Sequence, residues 1–168
     1  SSRRRHTRFR NVTGVQTCAL PILLGGSPGT YNFNNITISG TLSDAIVSTN
    51  YNVKGNFTNN GTYTANSETI TFNGTSSQTI GGSSTTSFSS ITNSNTNAAL
   101  SVNTNANIGG TLNMNGSATL LTPAAAVVLN NGGAAGTITG TGTVQVTRTA
   151  ATADYSSQYK FKIGRAHV

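Results

Sequence analysis

The stretch VKGNFTNNGTYTANSETITFNGTSSQTIGG, residues 53–82, decides the fold. It carries no apolar face at helical spacing. Its apolar residues instead come in short bursts that alternate with polar ones, VKGNF at 53–57 and TITF at 69–72. Alternation with a period of two places one set of side chains on one face of an extended chain, so each burst reads as a short strand. Asn-Gly at 60–61 and 73–74 and Gly-Gly at 81–82 read as turns between them. The pattern extends in both directions, through FNNITI (33–38), LSV (100–102) and VQV (144–146). TPAAAVVLNN (122–131) comes nearest to a helix, but Pro123 and the β-branched pair Val127-Val128 favour a strand.

The chain also resembles itself. Shifted by fifty-five residues, Phe33 falls on Phe88, Ile36 on Ile91, Val53 on Ile108, Gly55 on Gly110 and Phe57 on Leu112. Beyond Thr64 the register slips by two, and Ile70-Thr71-Phe72 matches Val127-Val128-Leu129. The reading is therefore an all-β chain with repeat units at 31–85 and 86–140. A unit of this size is too small for a complete immunoglobulin-like sandwich, and suits two to three coils of a β-solenoid of the parallel β-helix kind. A β-sandwich is the alternative.

The 168 residues carry a formal charge of +7. Arg3, Arg4, Arg5, Arg8, Arg10, Lys162 and Arg165 supply all of it, and Lys54, Arg148 and Lys160 balance Asp44, Glu68 and Asp154. A basic start followed by CALPILL has the outline of a secretory signal, but Pro21 interrupts a short apolar run. An arginine-rich arm would ordinarily suggest phosphate contacts.

The two ends, compared as DNA, point elsewhere. Thr17 to Ile22 can be written ACG TGT GCT CTT CCG ATC. With the flanking G and T, its reverse complement reads AG ATC GGA AGA GCA CAC GTC, which encodes Ile163 to Val168 and completes a codon for Lys162. This string resembles the adapter ligated to DNA fragments for high-throughput sequencing, as do VTGVQTCALPI (12–22) and SRRRHTR (2–8). Residues 1–22 and 162–168 are thus expected to be non-native, leaving 23–161 as the authentic β-strand repeat region. That region contains neither Cys nor His, since Cys18, His6 and His167 all lie in the flanks. It can assemble no disulfide, zinc site or Ser-His-Asp triad. No nucleic-acid partner and no membrane insertion are expected.

FNNITISG (33–40), residues 53–92 and IGGTLNMNGSATL (108–120) resemble the β-strand repeats of large bacterial surface proteins, the adhesin-like and autotransporter-like solenoids, many exported by the type IX route. The resemblance implies an extracellular location at the outer cell surface, a structural or adhesive role without catalysis, no cofactor, and glycans or surface polymers and neighbouring repeats of the same chain as partners. Two alternatives stand beside it: a carbohydrate-binding module, and a polysaccharide-degrading β-solenoid fragment.

No catalytic, cofactor-binding or metal-binding residue is assigned. An enzyme of the third kind needs clustered carboxylates, yet Asp44, Glu68 and Asp154 are far apart and read as solvated surface acids. GGSS (81–84) and GGAAG (132–136) lack the Asp of calcium-binding repeats and read as corners. GTITGTGTV (136–144) lacks the Lys of a phosphate loop and also reads as a corner. Thr137, Thr139, Thr141 and Thr143 alternate as if on one strand face, and Thr favours exposed strands. Tyr31, Tyr51, Tyr63, Tyr155 and Tyr159 could stack on sugar rings, although Tyr31 and Tyr63 sit in patterns that pack. The glycosylation triplets at Asn35, Asn56, Asn60 and Asn73 are expected by chance in a chain this rich in Asn and Thr.

Overall fold

A computed structural model describes residues 11–18, 22–24, 29–44, 49–122, 127–131 and 134–146. Every element among them is a strand, and all but one short strand pair in parallel as a β-solenoid of about 5 turns. In chain order they are β1 (Asn11–Cys18), β2 (Ile22–Leu24), β3 (Thr30–Ile38), β4 (Thr41–Asp44), β5 (Asn50–Val53), β6 (Phe57–Asn59), β7 (Thr62–Thr64), β8 (Thr69–Phe72), β9 (Gln78–Gly82) and β10 (Thr86–Phe88). There follow β11 (Ser90–Asn93), β12 (Leu100–Val102), β13 (Ala106–Ile108), β14 (Thr111–Met114), β15 (Thr119–Thr122), β16 (Val127–Asn131), β17 (Ala134–Ala135), β18 (Thr137–Gly140) and β19 (Thr143–Val146).

Each coil uses three strands, and each strand lies on its counterpart in the next coil. One face stacks β5, β8, β11, β14 and β18; a second stacks β6, β9, β12, β15 and β19. The long strand β3 opens both, its first half pairing with β5 and its second with β6. The third face falls into two ladders, β2-β4-β7 and β10-β13-β16. β1 lies parallel on β3 with a bulge between Val12 and Val15, and β17 folds back antiparallel on β16. Unpaired strand edges template whatever chain lies beside them, which accounts for a strand at β1 whatever its origin.

The core is a set of side-chain columns. Tyr51, Ile70, Ile91 and Leu112 form one, and Phe33, Val53, Phe72, Asn93 and Met114 another. On the second face Ile36, Phe57, Ile80 and Val102 align, all buried. A strand of three or four residues contributes only one or two inward side chains, each worth roughly 1.5–3 kcal/mol when buried. No coil is stable alone; the column is the unit of stability.

The coil length runs from nineteen residues, Asn50 to Thr69, to twenty-six, Thr111 to Thr137. Fifty-five residues thus span two to three coils, and what is corrected is the equivalence of the strands that the shift matches. Phe33 stacks on Val53, whereas Phe88 belongs to the third face and stacks on Ile108. The shift carries β5 onto β13, β6 onto β14 and β8 onto β16, eight strands on, which is two coils and two faces. The self-similarity is real but relates one face to another, because strands on all three faces share a triplet in which two buried residues flank a less buried one.

A second correction concerns residues 53–57, which bend rather than run straight. Val53 ends β5, Phe57 opens β6, and Gly55 turns the corner, where a Cβ would lie 2.1 Å from Asn35 Oδ1. The Gly81-Gly82 pair makes the steric demand testable. Gly82 has φ +118 and a Cβ there would lie 2.1 Å from the Asn59 carbonyl oxygen, while a Cβ on Gly81 meets nothing within 4 Å. Gly82→Ala is expected to destabilise the chain by about 2 kcal/mol or more, and Gly81→Ala to stay within about 0.5 kcal/mol of the parent, as read from urea midpoints.

Candidate functional site

The third face breaks between β7 and β10, which share no ladder. Three aromatic rings fill the step. Phe57 meets Tyr63 edge-on at 5.4 Å and Phe88 at 5.2 Å, and Tyr63 lies 5.9 Å from Phe88. Beside them opens a cavity of about 400 Å³ lined by Ser67, Phe88, Ser89, Ser90, Gly109 and Gly110. Ser67 has a left-handed backbone, φ 65, unusual for a residue with a Cβ.

Glu68 sits behind this cavity and is fully buried. The solvated reading of this acid is corrected, and the reason was in the sequence: alternation puts Glu68 on the same side as Ile70 and Phe72. Its carboxylate accepts from the Tyr63 hydroxyl at 2.6 Å, from the Asn66 backbone N–H at 2.5 Å, and more distantly from the Ser89 hydroxyl at 3.4 Å. The Ser67 N–H in turn donates to Ser89 Oγ at 2.9 Å. These donors tie the step together. Glu68→Gln places an amide N–H₂ among donors and is expected to lower stability by about 2–3 kcal/mol, measured by urea unfolding at neutral pH.

The other acids are not brought to this point by any described contact. Asp44 ends β4 with its side chain outside the described ones, and Asp154 lies outside the described residues. Among the described residues no group of three or more His, Cys, Asp or Glu could hold a metal ion. No helix among them is long and apolar enough to cross a membrane.

The aromatic candidates are largely spent on packing. Tyr51 is buried between Tyr31 and Phe33, edge-on to each at 5.9 and 5.6 Å, and Tyr63 is buried in the step. Tyr31 is half-buried; Tyr155 and Tyr159 lie outside the described residues. The threonine row is corrected too, since the chain turns at Gly140, φ 89, dividing Thr137 and Thr139 on β18 from Thr143 on β19. The strand at Val127-Val128 stands as read, whereas the corner reading of GTITGTGTV is corrected: Thr137–Gly140 and Thr143-Val144 lie on β18 and β19 and the bend falls on residues 141–142, just as in GGSS the glycines close β9 and the bend falls on Ser83-Ser84.

The asparagines have work the composition did not reveal. Asn35 Oδ1 accepts from the Asn56 N–H one coil on, Asn56 Oδ1 from the Thr79 N–H, and Asn60 Oδ1 from the Ser83 N–H. They satisfy the corner N–H groups of Asn56 and Ser83 and the Thr79 N–H in β9. Deeper in, Gln78 and Asn95 are fully buried and joined, Asn95 Nδ2 donating to Gln78 Oε1 at 3.2 Å. Compared with protein-family models, curated proteins and solved structures, the chain matches none.

Proposed function

We propose that residues 23–161 are a run of coils from the shaft of a large secreted bacterial surface protein, acting as a structural or adhesive scaffold without catalysis at the outer cell surface. The observation that carries this reading is the unbroken stacking of parallel strands on two faces. Such a stack is stiff along its axis and can be lengthened by adding coils. The side chains it turns outward from these faces are mostly Thr, Asn and Ser, hydroxyls and amides that contact water, sugars or a neighbouring polymer without reacting. Glu68, fully buried, is committed to holding the step between ladders.

The terminal segments 1–22 and 162–168 belong to the proposal as translated adapter. Re-amplifying the source locus with unrelated adapters is expected to replace the codons for both; recovering the same codons would overturn that part. The functional part is tested by incubating the full chain with a panel of soluble and insoluble polysaccharides and reading both release of oligosaccharides and retention on the solid. No release is expected. Cleavage that disappears on Asp44→Asn, Glu68→Gln or Asp154→Asn would replace the scaffold with an enzyme.

A further inference from the structure

Four Asn-Gly pairs punctuate the chain, at 60–61, 73–74, 115–116 and 131–132, the last extending beyond the described residues. Such a pair is chemically labile because the glycine nitrogen has no Cβ beside it to block its approach to the preceding side chain. The Gly N forms a bond to the Asn Cγ as the Cγ–Nδ2 bond breaks, and Nδ2 leaves as ammonia carrying the proton from the Gly N–H. Water then opens the cyclic imide at one carbonyl or the other, giving aspartate or isoaspartate. The reaction needs a nitrogen free of other bonds and a side chain free to swing.

The three described pairs differ in both respects. Gly74 is buried, and its N–H donates to Gln78 Oε1 at 2.9 Å. The Gly61 N–H donates to Asn59 Oδ1 at 3.1 Å, and the Asn60 carbonyl oxygen Oδ1 is held by the Ser83 N–H at 3.0 Å. Gly116 lies in an exposed turn with φ +56, and its N–H finds no acceptor among the described residues. The space beside it is open, with only the Thr96 methyl at 3.4 Å from where a Cβ would stand. The Asn115 side chain is exposed and tethered by one bond, Nδ2 to Ser94 Oγ at 2.9 Å. This bond and the one that Ser83 makes to Asn60 are both solvent-exposed and weak, so the hydrogen bond on the glycine N–H, present at Gly61 and Gly74, decides the order.

We infer that, of the three Asn-Gly pairs within the described residues, Asn115 is the one that deamidates and isomerises spontaneously, while the coil geometry protects Asn60 and Asn73. The position is consequential. The Asn115 carbonyl accepts from the Ala118 N–H at 3.0 Å, and the Gly116 carbonyl from Thr141 Oγ1 at 2.9 Å. Isoaspartate adds a methylene to the backbone at this corner between β14 and β15, and both bonds are lost together.

The test is to age the full chain in mildly alkaline buffer, folded and in concentrated urea, and follow each Asn-Gly peptide by mass spectrometry with fragmentation that separates isoaspartate from aspartate. Folded, Asn115 is expected to convert about tenfold faster than Asn60 or Asn73, the factor that one protecting hydrogen bond supplies. In urea the three should converge. If Asn60 or Asn73 keeps pace with Asn115 in the folded chain, the inference fails. It fails equally if the folded order persists in urea, since neighbouring sequence would then set the rates.

Discussion

Gln78→Leu is expected to destabilise the chain by about 4 kcal/mol, even though leucine is the residue found directly above this position in the next coil. Gln78 stacks beneath Leu100 and Leu120, and Val144 continues the column. By pattern alone a leucine belongs there, and its burial would contribute about 2 kcal/mol. The amide does more. Nε2 donates to the carbonyls of Val53 at 2.9 Å and Gly55 at 2.6 Å, and Oε1 accepts from the Gly74 N–H at 2.9 Å and Asn95 Nδ2 at 3.2 Å. All four hydrogen-bonding positions of the side chain are used, and each partner abandoned in the interior costs about 1–3 kcal/mol. The loss exceeds the gain. Urea unfolding should place Gln78→Leu beside Leu100→Ala, a cavity-forming change in the same column expected to cost about 2–5 kcal/mol. A neutral or stabilised Gln78→Leu would mean that the amide network does not hold the corner.

Phe57→Ala should cost about 5 kcal/mol, the largest effect of any single truncation proposed. The ring is fully buried and bridges the second face to the step in the third, meeting Tyr63 and Phe88 edge-on. Truncation removes the transfer energy of a phenyl group, opens a cavity and ends two aromatic contacts. Because β7 and β10 share no ladder there, no strand hydrogen bonds take over. Amide hydrogen exchange should therefore quicken most in residues 62–64 and 86–88, with Phe57→Leu giving a smaller effect of the same pattern. Uniform exchange across all coils would mean that the cluster is not a local clasp.

Individual strands were legible because alternation is a local property. TITF and LSV coincide with β8 and β12 as written, and VVLNN with β16. The coil period was not legible, for two physical reasons. Columns mix chemistry: Asn93 sits between Phe72 and Met114, and Gln78 beneath Leu100, so vertical neighbours share burial and not identity. Corners also vary in length, which is why a gap-free shift finds the strongest match between different faces. At the step, parity alone would have turned Glu68 inward, but nothing in the chain's order indicates that Tyr63, Asn66 and Ser89 converge on it. The corner asparagines were hidden by abundance, since a residue found everywhere gives no positional signal.

The central claim, that successive coils stack along one axis, is tested most directly by distances between spin labels on the outward column of the first face. With Cys18 replaced by Ser, single cysteines at Asn32 and one of Thr92, Asn113 or Thr139 can be labelled in pairs. Register links these positions through Asn52 and Thr71 in consecutive coils. Pulsed electron resonance should give three narrow distributions whose means rise by about 4.8 Å from each pair to the next. Distances that fail to rise in that order, or that follow the spacing of a two-layer sandwich, would contradict it.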